Sequence, residues 1–154
     1  MMQVSKFEQV RADGNVIPAE MTVTEMLARG WGPSKVVALR WLHDGKAVEC
    51  AAPNGVHGIA VPGGNFVAAI VDEDTSGADT QLVVLSPDGS KRGALENSLR
   101  VAGGGVDGRY AWFEPAMSPG TNKFGAVFQA GSAGEFRCDI DAGDMRVLSV
   151  TRIR

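Results

Sequence analysis

Cys50, His57 and Asp72 are the residue types of a thiol nucleophile, its base and an orienting carboxylate, so thiol-based acyl chemistry is the first possibility to weigh. Such a triad is defined by geometry, and no nucleophile motif surrounds Cys50, so no catalytic residue is assigned from these three. His57 follows Pro53-Asn54-Gly55-Val56 and precedes Gly58, a segment that reads as a Gly-rich loop able to present an imidazole. The other histidine, His43, belongs to His43-Asp44-Gly45, the composition of a solvated turn. Neither Cys50 nor Cys138 sits in a C-x-x-C pair, and both are expected to be reduced and to behave as small hydrophobes.

Metal and phosphate chemistry find less support. Asp139, Asp141 and Asp144 surround a turn but lack the ligand spacing and closing Glu of a calcium loop, so they read as a hairpin turn with solvated acids. No His/Cys spacing suits zinc, and neither a metal nor a cofactor is expected. Gly103-Gly104-Gly105-Val106-Asp107-Gly108 leads into the strand-like Arg109-Tyr110-Ala111-Trp112-Phe113 rather than into a helix. It therefore reads as a flexible strand connection and not as a phosphate cradle.

The strongest surface feature is acidic. Asp72, Glu73, Asp74 and Asp79 follow an apolar strand and form a negative patch suited to steering a basic partner, the bland alternative being a solvated loop. Trp31, between Gly30 and Gly32, is the aromatic expected to be exposed and to anchor such a partner. Trp41 and Trp112 lie in strands and are expected in the core.

The elements that position these residues are mainly β. Gln3 to Arg11 alternates apolar with polar and turns at Asp13-Gly14-Asn15 into a short strand at Val16-Ile17. Thr22-Val23-Thr24-Glu25 has the form of a capping box and predicts one short helix, stopped at Gly30, Gly32 and Pro33. Val36 to Leu42 and Lys46 to Cys50 flank an Asp-Gly turn and predict a hairpin. Phe66 to Val71 is apolar on both faces and predicts a central strand. Further strands are expected at Gln81 to Leu85, Arg109 to Phe113, Phe124 to Gln129, Glu135 to Ile140 and Met145 to Ile153. The fold class is an antiparallel meander, or two packed sheets of hairpins, with one short N-terminal helix. Residues 1–154 form one β-rich domain: 1–34 supply the hairpin and helix, and 35–154 the antiparallel strands.

An offset of 44 residues superposes Asp44-Gly45 on Asp88-Gly89, Gly64 on Gly108 and Phe66 on Tyr110. Leu82 to Gly89 resembles the strand and turn of a β-propeller blade. Fewer than three such units fit after Val36, which excludes a closed propeller of about four to eight blades. Independent hairpins with the same turn chemistry are the favoured explanation of the match.

Composition bounds the partner. The chain has 154 residues, 15 Lys plus Arg against 18 Asp plus Glu, and a net charge of −3, so direct nucleic-acid binding is not expected. No apolar run approaches the roughly 18 residues of a membrane span, and no membrane partner is expected. Met1 to Lys6 lacks the apolar stretch of a secretory signal, which gives a cytoplasmic expectation.

A short β-rich domain with two histidines, no catalytic motif and an acidic loop resembles bacterial immunity proteins, which bind and block a cognate toxin. The resemblance is one of general character over the whole chain and assigns no residue roles. It implies a non-enzymatic protein-binding module whose partner is a cognate protein, for instance a basic toxin domain such as a nuclease. Asp72, Glu73, Asp74 and Asp79 are the residues proposed to steer that partner, and Trp31 the one to anchor it. A small enzyme using a Cys/His or carboxylate site, and a homo-oligomeric β module pairing through exposed strand edges, are the alternatives.

Overall fold

A computed structural model describes residues 3–76 and 78–153; Met1, Met2, Gly77 and Arg154 lie outside the described residues, and with them part of the N-terminal segment and of the acidic loop read above. Three four-stranded antiparallel sheets account for most of the chain. The first contains β1 (Ser5–Arg11), β2 (Val16–Pro18), β3 (Val36–His43) and β4 (Lys46–Ala51) in the order β2-β1-β3-β4. The second is a meander of β5 (Val56–Ala60), β6 (Val67–Asp72), β7 (Thr80–Leu85) and β8 (Lys91–Ala94). A two-stranded ribbon, β9 (Ser98–Val101) and β10 (Gly104–Asp107), leads to the third sheet. That sheet is a meander of β11 (Arg109–Glu114), β12 (Lys123–Gln129), β13 (Glu135–Asp141) and β14 (Arg146–Arg152). The mainly β, antiparallel class is as expected, with three packed sheets where one or two were anticipated. Because β1 pairs with β3, the N-terminal hairpin is part of the first sheet.

The helix α1 (Val23–Ala28) is six residues long, and its Thr22 hydroxyl accepts the Glu25 N–H at 3.2 Å. It buries no residue and leaves Val23 and Leu27 more than two-thirds exposed. Its cap legislates where it begins, while Gly30 with φ +75° ends it.

The second sheet is sandwiched between the other two, which the side-chain alternation of β6 and β7 makes explicit. Val67, Ala69 and Leu85 pack with Phe7, Leu39 and Trp41 of the first sheet. Ala68, Ile70, Leu82 and Val84 pack with Tyr110, Phe124, Phe128 and Ile140 of the third. Each fully buried Val, Leu or Ile contributes roughly 1.5–3 kcal/mol, and the middle sheet contributes such side chains to both cores. Gly58 in β5 permits the approach of the first layer, since a Cβ there would lie 2.5 Å from Leu39 Cδ1.

At one end of the stack the hairpin tips lock together. The buried Trp41 indole N–H donates to the Pro87 carbonyl at 2.6 Å, tying β3 to the β7–β8 turn. The Asn122 N–H donates to Pro62 O at 2.9 Å, its side chain accepts from Asn65 at 3.2 Å, and Arg92 donates to the Gly143 carbonyl. Asp44-Gly45 and Asp88-Gly89 both close the hairpin between the third and fourth strands of their sheets, so this part of the 44-residue offset is structural. The third sheet closes the same hairpin through Met145, at φ +54°, where the others have Gly45 and Gly89. Gly64 with Gly108 and Phe66 with Tyr110 are not equivalent, because β6 is the second strand of its sheet and β11 the first of its own.

Three local expectations are corrected. The segment around His57 is not a loop: it is strand β5, with His57 opposite Ile70. Gly104 to Asp107 forms β10 rather than a flexible connection, pairing with β9 over four residue pairs. Trp112 is half-buried rather than core, because β11 is an edge strand and its indole N–H reaches Glu114 Oε1 at 3.0 Å.

Trp41→Phe removes the donor from a buried carbonyl and should cost about 1–3 kcal/mol in urea unfolding. An unchanged unfolding midpoint would show that the Trp41–Pro87 bond does not hold the two layers together.

Candidate functional site

Antiparallel topology places the β1–β2 turn, the segment 30–35, the β4–β5 loop, the β6–β7 loop and the β12–β13 turn at the other end of the stack. This end is joined by polar contacts. Lys35 Nζ donates to Asn54 O and Asn54 Nδ2 to Glu73 O, both at 3.3 Å, linking three loops of the first and second sheets from the helix side to the acidic hairpin.

The acidic hairpin follows directly from β6, and its described residues bond to one another. The Glu73 N–H donates to Asp79 O at 2.8 Å, and Asp74 Oδ1 accepts from the Ser76 N–H at 2.9 Å and from its hydroxyl at 2.5 Å. Asp72 is half-buried, with its carboxylate packed where a side chain on Gly55 would lie, whereas Glu73, Asp74 and Asp79 are exposed. Negative charge is thus displayed at the end of β6 by Glu73, Asp74 and Asp79, which suits it to long-range attraction of a positive surface.

Trp31 stands on the same end but is half-buried, not freely exposed. The Arg11 guanidinium lies 5.1 Å from its ring centroid and that of Arg29 5.9 Å, so two cations hold the indole in place. Arg11 is itself buried, and it donates to Asp13 Oδ2 at 2.8 Å and to the Gly32 carbonyl. The Asn15 N–H first, and Arg11 beside it, hold the Asp13 carboxyl below its ordinary 3.8.

Past Asp79 the surface continues into a polar cleft of about 530 Å³. There Arg109 Nη2 donates to Gln129 Oε1 at 3.1 Å, and Gln129 Nε2 donates to Glu135 Oε2 at 2.8 Å. Beyond the one-turn 3-10 helix Gly131–Ala133 lies an open groove of about 1030 Å³ between β9 and β14. Sequence reasoning missed both: the cleft is built from polar residues at strand ends, and the groove from a ribbon and an edge strand that share no motif.

The thiol set is not brought together. Val56 and Gly58 of β5 face the first sheet, so His57 faces the opposite side with its partner Ile70. Cys50 packs against the core between the first and second sheets, with the second sheet between its thiol and His57. Burial first, and the Glu49 charge second, push the Cys50 thiol above its ordinary 9.0, the reverse of an activated nucleophile. Cys138 is fully buried and pushed up to about 12 by burial.

Two further expectations change. His43 is tucked in rather than solvated: its side chain is 15% exposed and its Nε2 lies 3.6 Å from Asp44 Oδ2. Asp139 is buried, not a solvated acid, and accepts the N–H groups of Met117 and Ser118 at 2.9 Å each, so it fixes the β11–β12 loop. Among the described residues no group of three or more His, Cys, Asp or Glu is arranged to hold a metal ion. Iodoacetamide should alkylate Cys50 more slowly than an unstructured cysteine peptide at the same pH, because burial and the Glu49 charge disfavour its thiolate. A thiol titrating below pH 8 would contradict this description of its surroundings.

No protein-family profile matches the sequence, and neither does any curated protein. A solved structure, that of Tne2 in complex with Tni2, contains a chain 32% identical to this one, with a TM-score of 0.93 over 98% of this chain and 99% of that one. With that identity along nearly the full length of both chains, the protein belongs to the same family as that member of the Tne2–Tni2 pair.

Proposed function

We propose that this protein is a non-enzymatic binding module, a bacterial immunity protein that acts in the cytoplasm by covering and neutralising a cognate toxin domain. The observation that carries the reading is that its relative, alike over 98% of the chain, was solved as one partner of a two-protein complex. The acidic end of the stack supplies a physical basis for the partner's chemistry. Glu73, Asp74 and Asp79 are exposed at the end of β6 and favour a partner with a basic face, such as a nuclease domain, by raising the rate of encounter. Trp31, already immobilised between Arg11 and Arg29, loses little conformational freedom on contact, as an anchoring aromatic should. Separation of Cys50 from His57 by the second sheet weighs against the thiol-enzyme alternative.

The test is capture of the partner from source cells with the tagged full chain, followed by light scattering and an activity assay of the captured protein. A stoichiometric complex in which the partner's activity is lost is expected; a bare monomer, or self-association alone, contradicts the reading. With the partner in hand, Glu73→Lys combined with Asp79→Lys should slow association at low salt about tenfold or more and flatten its salt dependence. These two positions are chosen because Asp72 and Asp74 also shape the turn. Equal association rates for the variant and the parent chain would remove the acidic hairpin from the interface.

A further inference from the structure

The groove beside η1, the 3-10 turn Gly131–Ala133, has a construction that the acidic hairpin does not explain. Five consecutive residues of the ribbon, 98–102, and four consecutive residues of β14, 147–150, line it. Side chains alternate across a strand, so a run of consecutive lining residues means that the groove follows a backbone edge rather than one face. The topology agrees. β14 ends the third sheet and β9 ends the ribbon, so each has one side without a strand partner among the described residues. Two strand edges therefore border one channel, with Phe136, Ala133, Val147 and Val150 as apolar surface within it.

The charge of the channel is equally specific. Arg100 and Arg152 are the ionisable residues of its described lining, which includes no Asp or Glu, although the whole chain carries a net charge of −3. The channel is also continuous with the proposed interface, since η1 borders the groove through Ser132 and Ala133 and borders the cleft containing Asp79 through Gly131.

We infer that this groove receives an extended segment of the partner protein as an added strand, with apolar side chains on the floor and carboxylates against Arg100 and Arg152. The inference rests on the reading of the protein as a partner-binding module. Backbone hydrogen bonds from the two edges, which have no strand partner among the described residues, supply affinity that is indifferent to sequence, and the arginines with the apolar floor supply selectivity. The interface then has two complementary halves: an acidic hairpin for a basic surface, and a basic channel for an acidic, extended segment.

The full chain is titrated with two synthetic probes, a capped Asp-Val-Thr-Val-Ser-Val-Asp peptide and its counterpart with Lys in place of both Asp, and read by backbone amide NMR. The Asp peptide should shift and slow the exchange of amides in 98–102 and 147–152, and bind at least about tenfold more tightly than the Lys peptide. Arg100→Glu combined with Arg152→Glu should reverse that preference, and the gain of Lys-peptide binding also shows that the variant is folded. Equal binding of both peptides, shifts elsewhere on the molecule, binding of neither, or a groove filled by a second copy of the chain as judged by light scattering would each overturn the assignment. Because no partner is present, these failures are distinct from a failure to capture the partner. A chain that captures its partner and ignores both peptides keeps the proposed function and loses this groove.

Discussion

The β5–β8 sheet presents apolar side chains on both faces, and a sheet of that kind must be covered on both sides. In β6, Val67 and Ala69 belong to one core while Ala68 and Ile70 belong to the other. That requirement sets the order of the layers and closes the faces of β6 and β7, while the edge strands β5 and β8 keep exposed side chains such as His57 and Lys91. The surfaces left for recognition are the two ends of the stack, the outer faces and the sheet edges.

The two ends differ in what their loops do. At one, short turns bond to each other across layers through Trp41 with Pro87 and Asn122 with Pro62, consuming their polar groups in structure. At the other, Lys35, Asn54 and Glu73 also bond across loops, Asp74 bonds to Ser76 within its own turn as Asp88 does to Ser90 at the first end, and exposed Glu73 and Asp79 direct charge outward. The same acid type thus has opposite uses: Asp139 is buried beneath the β11–β12 loop as its hydrogen-bond acceptor, whereas Glu73 and Asp79 stay in solvent.

What was readable from sequence tracks how local each signal is. The Thr22 cap, the Asp-Gly turns and the two-sided apolar run of β6 depend on neighbours in the chain, and each appears in the structure. β5 was obscured because Gly58 lowers strand propensity, yet glycine is there for the approach of Leu39 from another layer. Flanking glycines made Trp31 read as free, when Arg11 from β1 covers it. Asp139 misled for the same reason, its partners Met117 and Ser118 being 21 or 22 positions away. The acidic hairpin was visible as a charge cluster; the groove was not, since it exists only where a ribbon edge meets the edge of another sheet.

In the proposed function, the three-layer body offers one polar end and an adjoining channel to a partner. Hydrogen–deuterium exchange of the full chain, alone and in complex with its captured partner, examines that arrangement directly. Protection concentrated in the acidic hairpin, the segment 29–35 and the strands bordering the groove is the result required. Protection concentrated instead at the interlocked turns around Asp44, Asp88 and Asn122 would contradict it.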